Sequence, residues 1–192
     1  MTDDLQRILG YADAIDERTG VTEIGPDLLV LPCWTTEFCA AVVRAAEAVG
    51  AFEPQPDDPV PGHEVSLAVI SPRLYAAVEA DLGERIWPQL QQHWPYVDYH
   101  GLRDAFVIRY ALGEQESLRI HHDVAQVSGS VKLNDTYEGG VLEFPRQDVT
   151  NADLGIGQLL AWPSLVTHPH QTAPLRSGVK YALTIWFELP SF

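Results

Sequence analysis

Six short runs in the second half of the chain decide the fold: DAFVIRYA (104–111), SLRIHHD (117–123), QVSGSVKLN (126–134), GVLEFP (140–145), QLLAWP (158–163) and KYALTIWFEL (180–189). Each run is rich in β-branched and aromatic residues, and Gly, Asn, Asp and Pro separate one run from the next. Many short strands with such turns between them are typical of an all-β sandwich or barrel. We therefore predict a double-sheet jelly roll from about residue 101 to residue 192.

The first hundred residues have a helical pattern instead. Residues 2–18 predict a moderately amphipathic helix. A second helix is predicted to begin at Thr35 or Thr36 and to end at Gly50, because glycine suits the left-handed conformation that closes a helix. Residues 72–94 predict a third helical stretch, which begins with a proline and which Gly83 is expected to split into two helices.

Three shorter segments complete the N-terminal part. Asp27–Leu31 and Val65–Ile70 are predicted strands, whereas residues 52–64 contain four prolines and are predicted to form a loop. The length of 192 residues suits one domain. We expect a mainly β protein of the α+β type, with a helical layer over about residues 1–100 and a jelly-roll core over about residues 101–192.

The charge balance argues against nucleic acids and membrane surfaces as partners. The chain has 27 acidic and 12 basic residues, a formal net charge of −15. A nucleic-acid-binding protein needs a basic stripe that neutralises phosphates, and anionic membranes likewise attract basic segments. We therefore expect a small-molecule or peptide substrate as the partner, and the sequence leaves the oligomeric state open.

The start of the chain and its cysteines predict a cytoplasmic protein. The first residues, MTDDLQRILGYADAIDE, lack the positively charged start of a signal peptide. No apolar run approaches the roughly 18 residues that a membrane-spanning helix requires. Cys33 and Cys39 are expected to be unpaired, because two cysteines are too few for a disulfide framework and these two lack the spacing of a metal site.

The main chemical signal lies in the run IHHDV (120–124). Because side chains alternate along a strand, His121 and Asp123 point to one face, while Ile120 and His122 point to the other. Two histidines and one carboxylate form the facial triad of non-haem iron(II) oxygenases, which leaves coordination positions open for oxygen chemistry. By itself the His-x-Asp pattern fits equally well two polar residues on a solvated strand.

Across roughly residues 64–190 the chain resembles the prolyl- and lysyl-hydroxylase superfamily of 2-oxoglutarate dioxygenases. The resemblance is carried by FVIRY (106–110), SLRIHHD (117–123), the VKLND and YEGGVLEFP runs within 131–145, and WPSLVTHPHQTAPLRSGVKYALTIWF (162–187). It implies a double-stranded β-helix preceded by helices. It also implies Fe(2+), 2-oxoglutarate and O2 as cofactors, with ascorbate as a supporting reductant.

The resemblance further implies roles for particular residues. In that superfamily the His-x-Asp motif and a later histidine bind iron, and a basic residue ten positions after that histidine pairs with the distal carboxylate of 2-oxoglutarate. The matching ligands are His121, Asp123 and His170, and the matching base is Lys180. His168 is the rival third ligand, but only His170 stands ten residues before a basic residue that opens a strand.

Alternation along KYALTIWFE (180–188) supports this role of Lys180. One stripe, predicted to face the helices, consists of Tyr181, Leu183, Ile185 and Phe187. The opposite stripe consists of Lys180, Ala182, Thr184 and Trp186. A lysine that faces inward needs a charged partner, and an incoming carboxylate is a suitable one. Lys132, on the run Ser130–Asn134, is the competing base for that carboxylate.

Other residues have less specific expectations. The resemblance implies that Tyr110 and Ser130 contact 2-oxoglutarate. Arg119 shares the face of the His-x-Asp pair and fits either an acidic group of the substrate or a surface ion pair, while Trp186 either lines the pocket or packs in the core. Structural or solvent-exposed roles are expected for His122, His168, Gly139, Gly140 and Arg176.

The activity implied by the resemblance is hydroxylation of an aliphatic C–H bond in an amino-acid side chain, free or in a peptide. Related iron halogenases lack the carboxylate ligand, so Asp123 argues against halogenation. Two alternatives stay open. One is oxidation of a non-peptide secondary metabolite, and the other is a metal-binding cupin-type module without turnover.

Overall fold

The structure, a computed structural model, describes residues 10–54 and 60–190. Its strands in chain order are β1 (Thr22–Gly25), β2 (Leu28–Pro32), β3 (Glu64–Ser66), β4 (Leu102–Ala111), β5 (Leu118–His121), β6 (Val127–Lys132), β7 (Tyr137–Gly139), β8 (Leu142–Phe144), β9 (Val149–Thr150), β10 (Gln158–Pro163), β11 (His170–Thr172) and β12 (Leu175–Phe187). Its α-helices are α1 (Thr36–Val49), α2 (Leu67–Ile70), α3 (Pro72–Asp81) and α4 (Trp87–His93). Within these described ranges, no helix is long and apolar enough to cross a membrane.

Two antiparallel sheets form the predicted jelly roll. The larger sheet has the strand order β1-β2-β10-β6-β12-β4-β3, with β7 paired to the start of β12, and the smaller sheet has the order β5-β11-β8-β9. Strand β12 lies between β4 and β6, so Thr184 pairs with Phe106 on one side and with Ser130 on the other. The predicted mainly β, jelly-roll fold is therefore confirmed.

The helices cover one face of the larger sheet, as predicted. The predicted stripe of β12 enters this core: Leu183, Ile185 and Phe187 are buried, and Tyr181 packs at its edge. The rings of Phe187 and Trp87, from α4, have centroids 4.9 Å apart. Full burial of each aliphatic side chain contributes roughly 1.5–3 kcal/mol, so this face stabilises the sheet that carries the site on its other side.

Capping interactions set the ends of helix α1 as the sequence indicated. The Thr35 hydroxyl accepts a hydrogen bond from the backbone N–H of Phe38. Gly50 ends the helix with φ of 66°, a conformation that costs residues with a Cβ atom more than it costs glycine. The thiols of Cys33 and Cys39 are buried and unpaired, which confirms that expectation.

Two predicted elements near the N-terminus are corrected by the structure. Within residues 10–18 the predicted helix 2–18 is replaced by a 3-10 turn at Tyr11–Ala14, and residues 2–9 of that prediction lie outside the described ranges. The chain leaves this turn to hydrogen-bond with the segment before α1, through Thr35 N to Ala14 O. The predicted strand Val65–Ile70 ends at Ser66, because the Ser66 hydroxyl caps helix α2.

The boundary between the helical and β parts is also less sharp than predicted. Strands β1, β2 and β3 all precede residue 100, and they complete both edges of the larger sheet. At the other end of the chain, β12 begins at Leu175, five residues before the predicted start. Arg176 therefore lies on a strand rather than in a turn, although its side chain is exposed as expected.

Candidate active site

A cavity lies between the two sheets, on the face of the larger sheet that is opposite the helices. The larger sheet lines it with Phe106, Ile108, Tyr110, Ser130, Trp162, Lys180, Ala182, Thr184 and Trp186. The smaller sheet and the loop after β5 line it with His121, Asp123, Leu142, His170 and Thr172. The second stripe predicted for β12 thus faces this cavity throughout its length.

Strand pairing in the smaller sheet brings the predicted metal ligands together. His121 ends β5 and His170 begins β11, and these two residues are direct partners in the antiparallel pair. Asp123 follows β5 and is only 5% exposed. One ligand atom from each of the three residues lies within 4.8 Å of the others. The structure therefore forms the predicted triad from residues nearly fifty positions apart.

Hydrogen bonds to the backbone fix which nitrogen of each histidine faces the triad. Nδ1 of His121 lies 2.7 Å from the carbonyl oxygen of Arg119, and Nδ1 of His170 lies 3.0 Å from that of His168. A carbonyl oxygen only accepts, so each Nδ1 carries the hydrogen in the neutral ring and each Nε2 presents a lone pair.

The two Nε2 atoms point at the carboxylate. The Nε2 atom of His121 is 3.4 Å from Oδ1 of Asp123, and that of His170 is 3.5 Å from Oδ2. Two nitrogen lone pairs and an anionic oxygen, with backbone groups fixing both rings, are the donor set that a divalent iron site requires. The residues present therefore fit the metal that the resemblance implies.

The electrostatics of the triad favour an ionised carboxylate. Burial alone would raise the pKa of Asp123, but its neighbours His121, His170 and Ser128 bring that pKa below its ordinary value. Burial also lowers the pKa of His170. For His121, burial works in the same direction, yet the contacts with Asp123 and with the Arg119 carbonyl raise its pKa overall. A neutral His170 beside an ionised Asp123 suits metal coordination.

The rival histidines lie outside the triad. His168 is buried, and its Nε2 atom is 2.9 Å from the carbonyl oxygen of Pro26 while its Nδ1 atom is 2.8 Å from the Thr167 hydroxyl. Both ring nitrogens of His168 are thus engaged in hydrogen bonds away from Asp123. His122 is exposed, with its Nε2 atom 3.1 Å from the carbonyl oxygen of Val166.

Lys180 lies at the other end of the cavity and is only 4% exposed. Its Nζ atom donates a hydrogen bond to the carbonyl oxygen of Gly140 at 2.7 Å and lies 4.7 Å from the centre of the Tyr110 ring. No carboxylate among the described residues forms an ion pair with it. Burial, with a smaller contribution from the charge of Lys132, lowers the pKa of Lys180 to about 7.

The competing lysine does not reach this cavity. The Nζ atom of Lys132 donates a hydrogen bond to the carbonyl oxygen of Leu154 at 2.8 Å, and Lys132 lines a separate surface depression with Asp135 and Asn151. A buried ammonium without an acidic partner is costly, so of the two lysines Lys180 is the one whose surroundings suit an incoming carboxylate.

The other predicted residues divide between the cavity and the surface. Tyr110 is buried beside Lys180, and its hydroxyl lies 3.0 Å from that of Thr172. Ser130 and Trp186 line the cavity. Arg119 has an exposed side chain and is not among the lining residues, although its backbone carbonyl holds His121.

Sequence reasoning missed several lining residues. Glu64, on the edge strand β3, and Gly62 before it lie at one side of the cavity. Ser128 is buried behind Asp123, and its hydroxyl donates a hydrogen bond to that carboxylate. Alternation along β6 was the signal for Ser128, because it stands two residues before Ser130. Glu64 had no such signal, since it belongs to a three-residue strand after a proline-rich loop.

Comparison with known sequences agrees with this site. Residues 105–188 match the family model of the 2OG-Fe(II) oxygenase superfamily. The chain is 28% identical over 186 residues to the multifunctional procollagen lysine hydroxylase and glycosyltransferase LH3 of Rattus norvegicus, a match that covers 90% of this chain. It is also 28% identical over 167 residues, 81% of its length, to the procollagen-lysine,2-oxoglutarate 5-dioxygenase 1 of Mus musculus. The chain spans about a quarter of the length of these curated relatives, 25% and 23% respectively.

Comparison with solved structures supports the fold. The viral collagen prolyl hydroxylase vCPH from Paramecium Bursaria Chlorella virus-1 superposes with a TM-score of 0.65 at 17% identity, covering 86% of this chain and 97% of that protein. A Pseudomonas putida prolyl-4-hydroxylase gives a TM-score of 0.59 at 19% identity, covering 81% and 86%. These superpositions support the fold, and the resemblance read from the sequence motifs is confirmed by the match to the family model together with the procollagen lysine hydroxylase relatives.

Proposed function

We propose that this chain, whose residues 105–188 match the family model of the 2OG-Fe(II) oxygenase superfamily, is an Fe(II)- and 2-oxoglutarate-dependent dioxygenase that hydroxylates an aliphatic C–H bond. One observation carries the proposal: three metal-ligand atoms and a buried lysine without an acidic partner share one cavity. Iron bound with 2-oxoglutarate would supply the activation of O2 that side chains cannot perform by themselves.

The residues of the chain would hold and orient the reactants. His121, Asp123 and His170 would bind the metal through one face and leave its remaining positions open. Lys180 would bind the distal carboxylate of 2-oxoglutarate as a point charge, with Tyr110 beside it. The low exposure of both ends of this site would keep bulk water away from the reacting atoms.

The substrate we propose is an amino-acid side chain, free or in a peptide. Among the residues that the structure describes, the charged side chains that line the cavity besides the histidines are those of Asp123, Lys180 and Glu64. The third, Glu64, lies on the β3 side, where Phe106 and Trp186 add aromatic surface. A carboxylate beside aromatic rings favours a cationic group on an aliphatic stem, and the relatives above include procollagen lysine hydroxylases.

The first experiment measures O2- and Fe(II)-dependent conversion of 2-oxoglutarate to succinate, with and without candidate substrates. Lysine-containing and proline-containing peptides, free amino acids and small metabolites are screened by mass spectrometry for a product about 16 Da heavier, the mass of one added oxygen atom. Asp123→Ala serves as the inactive control. Metal binding without any succinate formation would instead favour the cupin-type module, and turnover only with non-peptide metabolites would favour the alternative substrate.

Glu64→Gln tests the preference for a cationic side chain. If Glu64 contacts a positive charge, the variant should raise the KM for lysine-containing substrates by roughly tenfold or more while leaving the 2-oxoglutarate requirement unchanged. Peptides in which norleucine replaces lysine provide the matched uncharged substrates. Equal effects of Glu64→Gln on charged and uncharged substrates would contradict this assignment.

We also propose a cytoplasmic location. The support is that Cys33 and Cys39 are buried and unpaired, because a reducing compartment keeps thiols free. Fractionation of the native host with an antibody against this protein tests it.

A further inference from the structure

Two buried serines stand behind the proposed metal site in a single line of hydrogen bonds. The Ser128 hydroxyl donates to Oδ2 of Asp123 at 2.6 Å, and the Ser164 hydroxyl donates to that of Ser128 at 2.7 Å. Both serines have no exposed surface. Neither serine belongs to the ligand set or to the site proposed for 2-oxoglutarate.

Chemistry fixes the direction of this line. An ionised carboxylate only accepts hydrogen bonds, so the single proton of Ser128 must point at Asp123. Ser128 then has only lone pairs left for Ser164, and the proton in that bond must come from Ser164. The chain therefore runs from Ser164 through Ser128 to Asp123, with every hydroxyl proton assigned.

The line also joins the two sheets. Ser128 lies on β6 in the middle of the larger sheet, where it pairs with Trp162 on β10 and with Trp186 on β12. Asp123, by contrast, lies in the loop after β5 of the smaller sheet. A loop residue is held less firmly than a strand residue, so a hydrogen bond from a central strand restricts the rotation of this carboxylate.

We propose that Ser128 is a positioning residue for the metal site, supported by Ser164. By donating to Oδ2, Ser128 holds the carboxylate plane in the orientation in which Oδ1 lies 3.4 Å from Nε2 of His121 and Oδ2 lies 3.5 Å from Nε2 of His170. This inference rests on the proposed function, because it presumes that the triad binds a divalent metal. Partners of ligand groups typically change metal affinity by about 10–100-fold when they are removed.

The test measures binding of Mn(II) to the metal-free 192-residue chain by calorimetry, and the visible spectrum of the Co(II)-loaded chain. Ser128→Ala should weaken Mn(II) binding roughly 10–100-fold and shift the Co(II) bands, since the carboxylate is no longer held. Ser128→Thr, which keeps the hydroxyl, should restore most of the affinity. Ser164→Ala should cause a smaller loss, because Ser128 can still donate to Asp123.

Thr184→Val is the matched control, because it removes a hydroxyl from the same cavity wall on the neighbouring strand. A folded Ser128→Ala chain with unchanged Mn(II) affinity and an unchanged Co(II) spectrum would overturn the proposal. A loss for Ser164→Ala as large as that for Ser128→Ala would refute the stated order. If Ser128→Ala does not fold, Ser164→Ala decides: affinity lower than that of Thr184→Val supports the proposal, and equal affinity refutes it. Failure of the unaltered chain to bind Mn(II) would instead refute the proposed function.

Discussion

Replacing Lys180 by alanine should remove most of the affinity for 2-oxoglutarate while metal binding is retained. Lys180 is 4% exposed, and no described carboxylate pairs with it, so its loss would leave the distal carboxylate buried without a counter-charge. Removing one partner of such a desolvated pair costs about 2–5 kcal/mol. At roughly 1.4 kcal/mol per tenfold, this corresponds to a loss of affinity between about 30-fold and several thousandfold.

Lys132→Ala is the matched control for this prediction. The Nζ atom of Lys132 donates a hydrogen bond to the carbonyl oxygen of Leu154, outside the cavity. We therefore expect the affinity for 2-oxoglutarate to fall by less than about tenfold, because only the long-range attraction between Lys132 and the bound carboxylate is lost. The assay is titration of 2-oxoglutarate into each Mn(II)-loaded variant by calorimetry, followed by the absorbance of the Fe(II) chelate without oxygen. Melting curves of the metal-free variants verify that both are folded.

The pH dependence adds an independent check. Burial brings the pKa of Lys180 to about 7 in the free protein, and a bound carboxylate favours its charged form. Binding therefore takes up a proton above about pH 7, and affinity should fall as pH rises, by at most about tenfold per unit. Lys180→Arg should flatten this profile, because a guanidinium stays charged.

A large loss for Lys132→Ala beside a mild loss for Lys180→Ala would refute the reasoning. So would an affinity for 2-oxoglutarate that rises with pH in the unaltered chain. The first result would place the carboxylate at Lys132 on the neighbouring strand β6 and change the space left for substrate, although the metal triad would be unaffected.

Four further substitutions test other parts of the site. His170→Ala should abolish tight Mn(II) binding, whereas His168→Ala should retain it, as calorimetry would show. His168→Ala should instead lower the free energy of unfolding by about 1–3 kcal/mol in a denaturant titration, because the Pro26 carbonyl loses its hydrogen-bond partner. Gly140→Ala should weaken 2-oxoglutarate binding, because φ is +58° there and the new Cβ atom would lie 3.2 Å from Cδ of Lys180. Lys180→Met should raise the Tm of the metal-free chain at neutral pH, by roughly 2–4 °C for each kcal/mol gained in the free energy of unfolding. The Lys180 amine keeps its proton up to about pH 10.5 in the unfolded chain but only to about pH 7 in the folded chain, so the buried charge destabilises the folded chain most below pH 7. Melting curves should therefore show the full increase in Tm below pH 7 and no increase near pH 10.5.

Alternation in the sequence was sufficient to predict the face that each side chain of β12 occupies. The period of two is a property of the extended backbone, so Lys180 and Trp186 share a face wherever the strand is placed. The same argument paired His121 with Asp123. Local signals also sufficed at the ends of α1, because a threonine cap and a terminal glycine act within one helical turn.

Alternation alone could not decide between residues that share a face. Lys132 and Ser130 alternate correctly on β6, yet only Ser130 lines the cavity, because the Lys132 side chain turns to the Leu154 carbonyl. His168 and His170 are likewise two residues apart. The pairing of β11 with β5 and the carbonyl of Pro26 separate their roles, and both are contacts with distant parts of the chain.

The sequence by itself thus determined the fold class, the strands of the core and the pairing of His121 with Asp123, since these follow from local periodicity. The family resemblance favoured His170 over His168 and Lys180 over Lys132. The tertiary structure alone decided which lysine meets the cavity, which histidine meets Asp123, and that Glu64, Ser128 and Ser164 surround the site. The physical reason is that these choices depend on contacts between segments far apart in the chain. Local periodicity fixes the direction of a side chain relative to its own strand, but packing fixes what that side chain meets.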